Sequence, residues 1–158
     1  MVKKVGVIGA GQMGNGIAHV CALAGFDVVL KDVDMERAKA GLETIKYNMG
    51  RQVHRNRITE EQMNAGLARI KLTDTYNDFG DVDLAIEAAT EKEEIKRQIF
   101  KEICPVLKPT AILASNTSSI SITRLASATD RPEQFIGLHF MNPVPVMQLV
   151  ELIRGIAT

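Results

Sequence analysis

A histidine and a glutamate stand out in the apolar segment Gly137–Glu151, GLHFMNPVPVMQLVE. His139 lies in a run that otherwise resembles a buried strand. Pro143 and Pro145 follow it, and Glu151 ends the next apolar run. An ordinary imidazole, with a pKa of about 6.5, can take up and return a proton near neutral pH, so this segment is a candidate for acid–base chemistry. The alternative is a histidine that fills the core and an unrelated acid at a strand end, and the surrounding elements must decide.

A second polar segment, Ser115–Ile120 (SNTSSI), follows the apolar run Ala111–Asn116. In open α/β sheets, ligands bind at the carboxyl ends of parallel strands, which is where these side chains would lie. Asn, Ser and Thr are also common in ordinary turns, and the segment by itself does not decide between the two.

A glycine-rich loop, Gly9–Gly14 (GAGQMG), has the spacing G-x-G-x-x-G between a predicted strand and a predicted helix. In this context Gly9 permits a tight turn, Gly11 lets the backbone approach a pyrophosphate, and Gly14 lets the helix pack on the strand. The N-terminus of the helix offers free N–H groups and a positive dipole end to phosphates. The loop, with Gln12 and Met13 inside it, therefore predicts a dinucleotide site.

Asp32 ends the second predicted strand, a little over 20 residues after the first glycine. An acid there accepts hydrogen bonds from a ribose 2′-hydroxyl and repels a 2′-phosphate, so NAD is favoured over NADP. A role for Asp32 as a helix cap is weakened because Asp34 already fits that role. Lys31 lies beside it and could soften the preference.

Predicted strands alternate with predicted helices along the chain, which indicates an α/β doubly wound, mostly parallel sheet of the Rossmann type over residues 1–158. The predicted strands are Lys3–Gly9, Asp27–Asp32, a short one near Ile70, Val82–Ala89, Ala111–Asn116, Phe135–Phe140 and Met147–Ile153.

Two capping motifs and two apolar faces define the predicted helices. A helical hairpin over about residues 34–69 begins at Asp34, and its second helix opens with the capping box Thr59–Gln62. We expect it to project from the sheet as an insertion. A second capping box, Thr90–Glu93, would open a later helix. The predicted inner faces consist of Ala38, Leu42, Ile45, Met49 and Val53 in the hairpin, and Ile95, Ile99, Ile103 and Val106 in the later helix.

Composition excludes several classes of protein. The formal net charge is +0 with no block of like charge, which argues against a nucleic-acid partner. No apolar run approaches the roughly 20 residues of a membrane span. Cys21 and Cys104 both fall in apolar helical patterns, which favours reduced core thiols in a cytoplasmic protein over a disulfide or a metal site.

Three segments together resemble the NAD-binding domain of the 3-hydroxyacyl-CoA dehydrogenase family: Gly9–Ala18, Ala114–Thr123 and Gly137–Glu151. The resemblance extends from end to end of the chain, and the order and spacing of SNTSS and HFMNPVP are highly specific. It implies NAD-dependent, reversible oxidation of a 3-hydroxyacyl-CoA to a 3-ketoacyl-CoA. The similarity to short-chain bacterial members implies 3-hydroxybutyryl-CoA and acetoacetyl-CoA as substrates.

The resemblance also implies roles for the acid–base pair. His139 is similar to the family's base, which takes the hydroxyl proton, and Glu151 to the acid that orients the ring and stabilises its protonated form. The two prolines could bring both side chains to one edge of the sheet. Ser118, rather than the adjacent Ser119, matches the serine that bonds the 3-oxygen of the substrate.

Further contacts are carried over by position. The resemblance matches Asn116, Asn142, Glu91 and Lys96 to cofactor contacts. For Glu91 and Lys96 the alternative is a first-turn acid and a solvated helix lysine. Arg51 and Arg55 lie four apart at the hairpin tip, on one helical face, where the family places basic groups against the CoA phosphates. A merely solvated basic tip is the alternative.

Members of the family continue into a helical domain that forms a homodimer and closes the acyl site, and the sequence does not include that domain. We therefore expect NAD binding but weak turnover from this chain alone. Two alternative functions are a non-catalytic NAD-binding relative and a dehydrogenase of 3-hydroxy acids without CoA. Ser118, His139 and Glu151 argue against the first, and the arginine tip and HFMNPVP argue against the second.

Overall fold

The computed structural model describes residues 1–158, in which seven strands alternate with five α-helices. The strands are β1 (Lys4–Ile8), β2 (Asp27–Lys31), β3 (Ile70–Thr73), β4 (Leu84–Glu87), β5 (Ile112–Ser115), β6 (Phe135–Phe140) and β7 (Val150–Arg154). The helices are α1 (Gln12–Leu23), α2 (Met35–His54), α3 (Glu60–Ala68), α4 (Glu93–Ile103) and α5 (Ile122–Ala126).

All strands belong to one sheet, in the order β3-β2-β1-β4-β5-β6-β7. Strands β1 to β6 run parallel, and β7 runs antiparallel to β6. The chain begins in the middle with β1, builds outward to β3, and then returns to add β4 on the other side. This reversal between β1 and β4 is the position at which doubly wound sheets bind ligands. The predicted Rossmann-type sheet is confirmed.

The register aligns the carboxyl ends of the central strands. Ile8 of β1 pairs with Lys31 on one side and Glu87 on the other. Glu87 pairs in turn with Ser115 of β5. The next residue of each strand therefore lies at the same edge of the sheet, and these residues are Gly9, Asp32, Ala88 and Asn116.

Apolar side chains cover both faces of the sheet. One core includes Phe79, Phe100 and Phe135, and the rings of Phe100 and Phe135 pack edge to face with centroids 5.3 Å apart. The other core includes Ile17 of α1 and Ile45 and Met49 of α2. Burying several such side chains at roughly 1.5–3 kcal/mol each stabilises a rigid frame for the carboxyl edge.

The helical hairpin has the predicted caps. Asp34 accepts a hydrogen bond from the backbone N–H of Arg37 at 2.8 Å. Thr59 and Gln62 form a reciprocal capping box, with hydrogen bonds of 2.8 and 3.0 Å. The hairpin is also part of the core, because Ala38, Ile45 and Met49 are fully buried.

The predicted capping box Thr90–Glu93 is wrong. Helix α4 begins at Glu93, and its N-cap residue is Lys92, whose side chain makes no capping bond. The Thr90 hydroxyl instead accepts a hydrogen bond from the N–H of Lys92 at 3.0 Å, which closes a local turn. Ile95 was predicted to lie inside but is 44% exposed, since it faces a cavity at the sheet edge rather than the core.

The last strand begins later than predicted, at Val150 instead of Met147. The N–H groups of Val146 and Met147 both donate to the carbonyl oxygen of Pro143, and this turn occupies the residues before the strand. Pairing starts at Phe140 with Val150. Strand β4 is likewise shorter than the apolar run Val82–Ala89.

The two cysteines are free. Burial raises the pKa of the Cys21 thiol to about 11, and burial also raises the pKa of Cys104. Both thiols are therefore protonated near neutral pH and poor nucleophiles, as expected of packing residues.

None of the helices has the combined length and apolar composition needed to cross a bilayer.

Candidate functional site

A cavity of about 1330 Å³ opens at the carboxyl edge between the two halves of the sheet. It is lined by the glycine-rich loop, by residues that follow β2, β3, β4 and β5, by the first half of α2 and by one face of α4. Seven of the predicted cofactor contacts line it: Gly9, Gly11, Gln12, Met13, Asp32, Glu91 and Asn116.

The glycine-rich loop has the geometry that its motif predicts. Gly9 has a φ of +102°, and a Cβ there would lie 2.7 Å from the backbone of Ala89. A Cβ on Gly14 would overlap the carbonyl oxygen of Gly9. A Cβ on Gly11 would meet no atom within 4 Å, so packing within the protein does not require a glycine there. The open space beside Gly11 fits the close approach of a pyrophosphate to the backbone.

Asp32 lines this cavity and is hydrogen-bonded to the glycine-rich loop. Its Oδ2 accepts from the N–H of Ala10 at 2.9 Å, and its Oδ1 accepts from Val33 at 2.7 Å. Each carboxylate oxygen keeps a second acceptor site for a ribose hydroxyl. The residues therefore fit a dinucleotide at both its pyrophosphate and its ribose.

The neighbouring Lys31 is held within the protein. Its Nζ lies 4.1 Å from the centroid of the Tyr76 ring and 3.4 Å from the carbonyl oxygen of Asp32. Burial lowers the pKa of Lys31, and the Asp32 carboxylate partly opposes that shift. Burial, together with nearby carboxylates, raises the pKa of Tyr76 to about 12. The lysine therefore interacts with an aromatic face beside the ribose position.

His139 and Glu151 occupy opposite positions on β6 and β7. Their Nδ1 and Oε1 atoms are 3.1 Å apart. The side chains are 23% and 51% exposed, so the imidazole is accessible and does not fill the core. The predicted proximity of the two side chains is confirmed, and the structural alternative for His139 is wrong.

Asn116 links strand β6, which carries His139, to its neighbour β5. Pairing between β5 and β6 ends at Ser115 with Gly137. Beyond it, the Oδ1 of Asn116 accepts from the backbone N–H of Phe140 at 2.8 Å. The bond holds the residue next to His139, and Asn116 also lines the large cavity. Asn116 therefore connects strand β6 with the large cavity.

Asn142 is exposed and contacts the start of α1. Its Oδ1 accepts from Gln12 Nε2 at 3.2 Å. It does not line the large cavity, whereas Gln12 does. Asn142 therefore contacts a residue of the cavity wall, and its cofactor role stays a prediction.

The Ser118 hydroxyl is exposed and makes no hydrogen bond within the chain. The flanking hydroxyls do: Thr117 donates to Glu91 Oε2 at 3.0 Å, and Ser119 donates to the same oxygen at 3.4 Å. This difference supports Ser118 over Ser119 as the group available to a substrate.

Lys96 does not line the cavity and is buried, so the alternative of a solvated lysine is wrong, while the cofactor contact stays a prediction. It has 0% exposure, and its Nζ lies 2.5 Å from Glu87 Oε1 and 3.3 Å from Ser115 Oγ. A buried ammonium needs such partners because it has lost its water. Glu87 was missed, although Lys96 shares a helical face with Ile99 and Ile103, which signals a buried lysine that needs an acid.

A second cavity, of about 490 Å³, lies between the hairpin and the segment after β6. Arg51 and Arg55 of the hairpin tip both line it. Sequence reasoning missed its other walls, since they combine distant segments: Val20, Asn48, Gln52, Arg57 and residues 143–148. A Cβ on Gly16 would lie 2.8 Å from Val144 Cβ, so that glycine allows this segment to pack on α1.

The switch point, the glycine loop and Asp32 define a dinucleotide-binding domain of the Rossmann class. Residues 4–158 match the sequence pattern of the family described as "3-hydroxyacyl-CoA dehydrogenase, NAD binding domain". The chain belongs to the 3-hydroxyacyl-CoA dehydrogenase family, and its cofactor is NAD.

Individual relatives agree with this membership. The chain is 67% identical over 158 residues to 3-hydroxybutyryl-CoA dehydrogenase of Bradyrhizobium diazoefficiens, covering 100% of this chain and 54% of that protein. The crystal structure of (S)-3-hydroxybutyryl-CoA dehydrogenase PaaH1 from Ralstonia eutropha superposes with a TM-score of 0.98 and 47% identity, over 100% of this chain and 56% of that one. The fatty acid oxidation complex subunit alpha of Psychrobacter sp. is 45% identical over 98% of this chain and 21% of its own length. The chain thus spans about half the length of the 3-hydroxybutyryl-CoA dehydrogenases it matches.

Proposed function

We propose that the complete protein oxidises (S)-3-hydroxyacyl-CoA to 3-ketoacyl-CoA with NAD and catalyses the reverse reduction. The hydrogen bond between His139 and Glu151, at the edge that carries the nucleotide cavity, is the observation that supports this most strongly. The names of the relatives support a short-chain substrate, 3-hydroxybutyryl-CoA in one direction and acetoacetyl-CoA in the other.

The geometry of His139 assigns its two nitrogens different tasks. Nδ1–H donates to Glu151, which leaves the Nε2 lone pair free to accept the hydroxyl proton of the substrate. Glu151 holds the ring in that tautomer and stabilises the imidazolium that forms. Bound NAD supplies the acceptor for the hydride from the 3-carbon. Ser118 donates a hydrogen bond to the 3-oxygen, and in reduction His139 returns the proton.

The second cavity, which Arg51 and Arg55 line, is proposed as the site of the CoA phosphates. Arg51 and Arg55 can each bind a phosphate through two parallel N–H donors. The segment that follows His139 forms the opposite wall, so one end of an acyl-CoA would lie near the arginines and the other near the imidazole.

We further propose that the complete protein is a cytoplasmic homodimer, assembled through the helical domain that its family resemblance implies. The two free thiols support a reducing compartment. Sedimentation equilibrium of the complete protein would measure the dimer directly, and a monomer at micromolar concentration would contradict it.

The enzymatic proposal is tested by reduction of acetoacetyl-CoA with NADH by the complete protein and its His139→Gln variant. We expect kcat to fall by about 10²- to 10⁴-fold while NADH affinity stays within twofold, because the imidazole transfers a proton and does not line the cavity of the glycine-rich loop and Asp32. Equal rates in parent and variant would remove His139 from the mechanism. Binding of NADH without any turnover by the parent would favour the non-catalytic alternative.

A further inference from the structure

We propose that Thr117 is a positioning residue, whose buried hydroxyl fixes the turn that presents Ser118 to the substrate. The inference rests on the proposed function, since it deepens the role of Ser118 in that reaction. Thr117 directly precedes Ser118 and is 1% exposed, whereas Ser118 is exposed. The hidden hydroxyl and the accessible one are thus adjacent in the chain.

One oxygen atom organises the whole turn. Thr117 Oγ1 accepts from the backbone N–H of Ser119 at 3.4 Å and from that of Ile120 at 3.2 Å. It also donates to Glu91 Oε2 at 3.0 Å. The two accepted bonds close the chain around Ser118, and the donated bond ties this turn to the loop after β4.

The loop that carries Glu91 is itself firmly held. It connects β4 to α4, and the buried pair of Glu87 and Lys96 joins its two ends. The Glu87 carboxylate also accepts from the N–H of Ala89 at 2.8 Å and from the Ser115 hydroxyl at 2.7 Å. The backbone of Glu91 is therefore held at both ends of its loop. Through its hydrogen bond to Glu91, Thr117 holds the turn of Ser118 against this loop.

A hydroxyl that donates to the 3-oxygen must be held within about 0.5 Å of its working position. Ser118 makes no bond within the chain that could hold it there. The backbone of the turn must do so. The Thr117 hydroxyl bonds this backbone at Ser119 and Ile120 and joins it to the Glu91 carboxylate of the neighbouring loop. Thr117 acts on the substrate only through Ser118.

The test compares Thr117→Val with Thr117→Ser in the complete protein. Valine has nearly the shape of threonine but neither donates nor accepts, while serine keeps the hydroxyl. With acetoacetyl-CoA and NADH, we expect Thr117→Val to lower kcat at least tenfold with NADH affinity within twofold, and Thr117→Ser to recover most of kcat. Hydrogen exchange at the amides of Ser119 and Ile120 should accelerate in the valine variant alone.

Thr129→Val is the matched control. Thr129 Oγ1 likewise both donates and accepts. It donates to the backbone carbonyl of Ala126 at 2.8 Å and accepts from the N–H of Arg131 at 3.2 Å, but it precedes β6 at the opposite edge of the sheet. The kcat and the NADH affinity of the parent are expected in Thr129→Val. If the parent is active and Thr117→Val keeps its kcat, or Ser119 and Ile120 exchange as before, the positioning role is overturned while the proposed function stands. A parent without turnover overturns the proposed function, and the role of Thr117 with it.

Discussion

His139 and Glu151 are separated by twelve residues in the chain but face each other directly across β6 and β7, with Nδ1 3.1 Å from Oε1. The antiparallel return of β7 creates this contact, because cross-strand partners on one face bring their side chains within reach. The proposed proton acceptor and its proposed orienting acid thus share one two-stranded unit.

Replacing the acid should slow the reaction without displacing the histidine. In Glu151→Gln, the amide oxygen can still accept from Nδ1–H but carries no charge for the developing imidazolium. We expect kcat for acetoacetyl-CoA reduction to fall by about 10²-fold or more in the complete protein. Steady-state kinetics measures this, with Glu133→Gln, an exposed acid at the other edge of the sheet, as the control. A kcat within twofold of the parent would argue against an electrostatic role.

Neutralising Asp32 should relax the choice of cofactor. Asp32→Asn keeps an acceptor for the N–H of Ala10 but loses the charge that repels a 2′-phosphate. We expect NADPH affinity to rise at least tenfold while NADH affinity falls by less than that. Fluorescence titration of both nucleotides measures the ratio, and Asp27→Asn, at the opposite end of β2, serves as the control. An unchanged ratio would remove Asp32 from the ribose site.

Enlarging Gly16 should affect the acyl-CoA site more than the nucleotide site. A methyl group there would meet Val144 Cβ at 2.8 Å, so the segment after β6 must shift away from α1. Overpacking of this kind costs about 1–3 kcal/mol. We expect Gly16→Ala to raise KM for acetoacetyl-CoA several-fold with little change in NADH affinity. Gly50→Ala is the control, because a Cβ there meets nothing within 4 Å.

Removing one member of the buried ion pair should destabilise the fold. Lys96→Met leaves Glu87 buried without its cation, and such losses cost about 3–5 kcal/mol. The double variant Glu87→Gln with Lys96→Met leaves no buried charge and should regain part of that loss. Urea unfolding gives the free energies, with exposed Lys101→Met expected to stay within about 0.5 kcal/mol of the parent. A single variant as stable as the parent would contradict the pairing.

The free energy of unfolding should decrease as the pH is lowered from 6.5, because His19 is buried. Burial lowers its pKa, and the hydrogen bond to Gln52 only partly opposes this. The unfolded chain therefore binds a proton more readily than the folded one. The contribution of His19 to the free energy of unfolding is constant above pH 6.5. Below pH 6.5 it becomes less favourable, by at most about 1.4 kcal/mol per unit of pH. Urea unfolding between pH 8 and 5 should show a weaker pH dependence in His19→Gln. The exposed His54→Gln should keep the dependence of the parent.

Turns and helix caps were predicted well where the residues that determine them lie close together in the chain. The glycine spacing after β1 predicted the tight turn at Gly9, because backbone conformation depends on the residue itself. The capping box of Thr59 and Gln62 succeeded for the same reason. The predicted capping box at Thr90 is wrong because the Thr90 hydroxyl accepts from the N–H of Lys92, two residues on, in a competing local turn.

The sequence by itself determined the order of strands and helices, the phosphate loop with Asp32 beside it, and a basic hairpin tip, since each depends on periodicity or on residues close in the chain. Only the tertiary structure decided which polar groups meet. It paired Lys96 with Glu87, left Ser118 free while Thr117 and Ser119 bond Glu91, and joined residues 143–148 to Arg51 and Arg55. The physical reason is that each of these contacts joins separate strands or loops, whose distance is set by sheet register and by the packing of helices, and register is a property of the whole sheet.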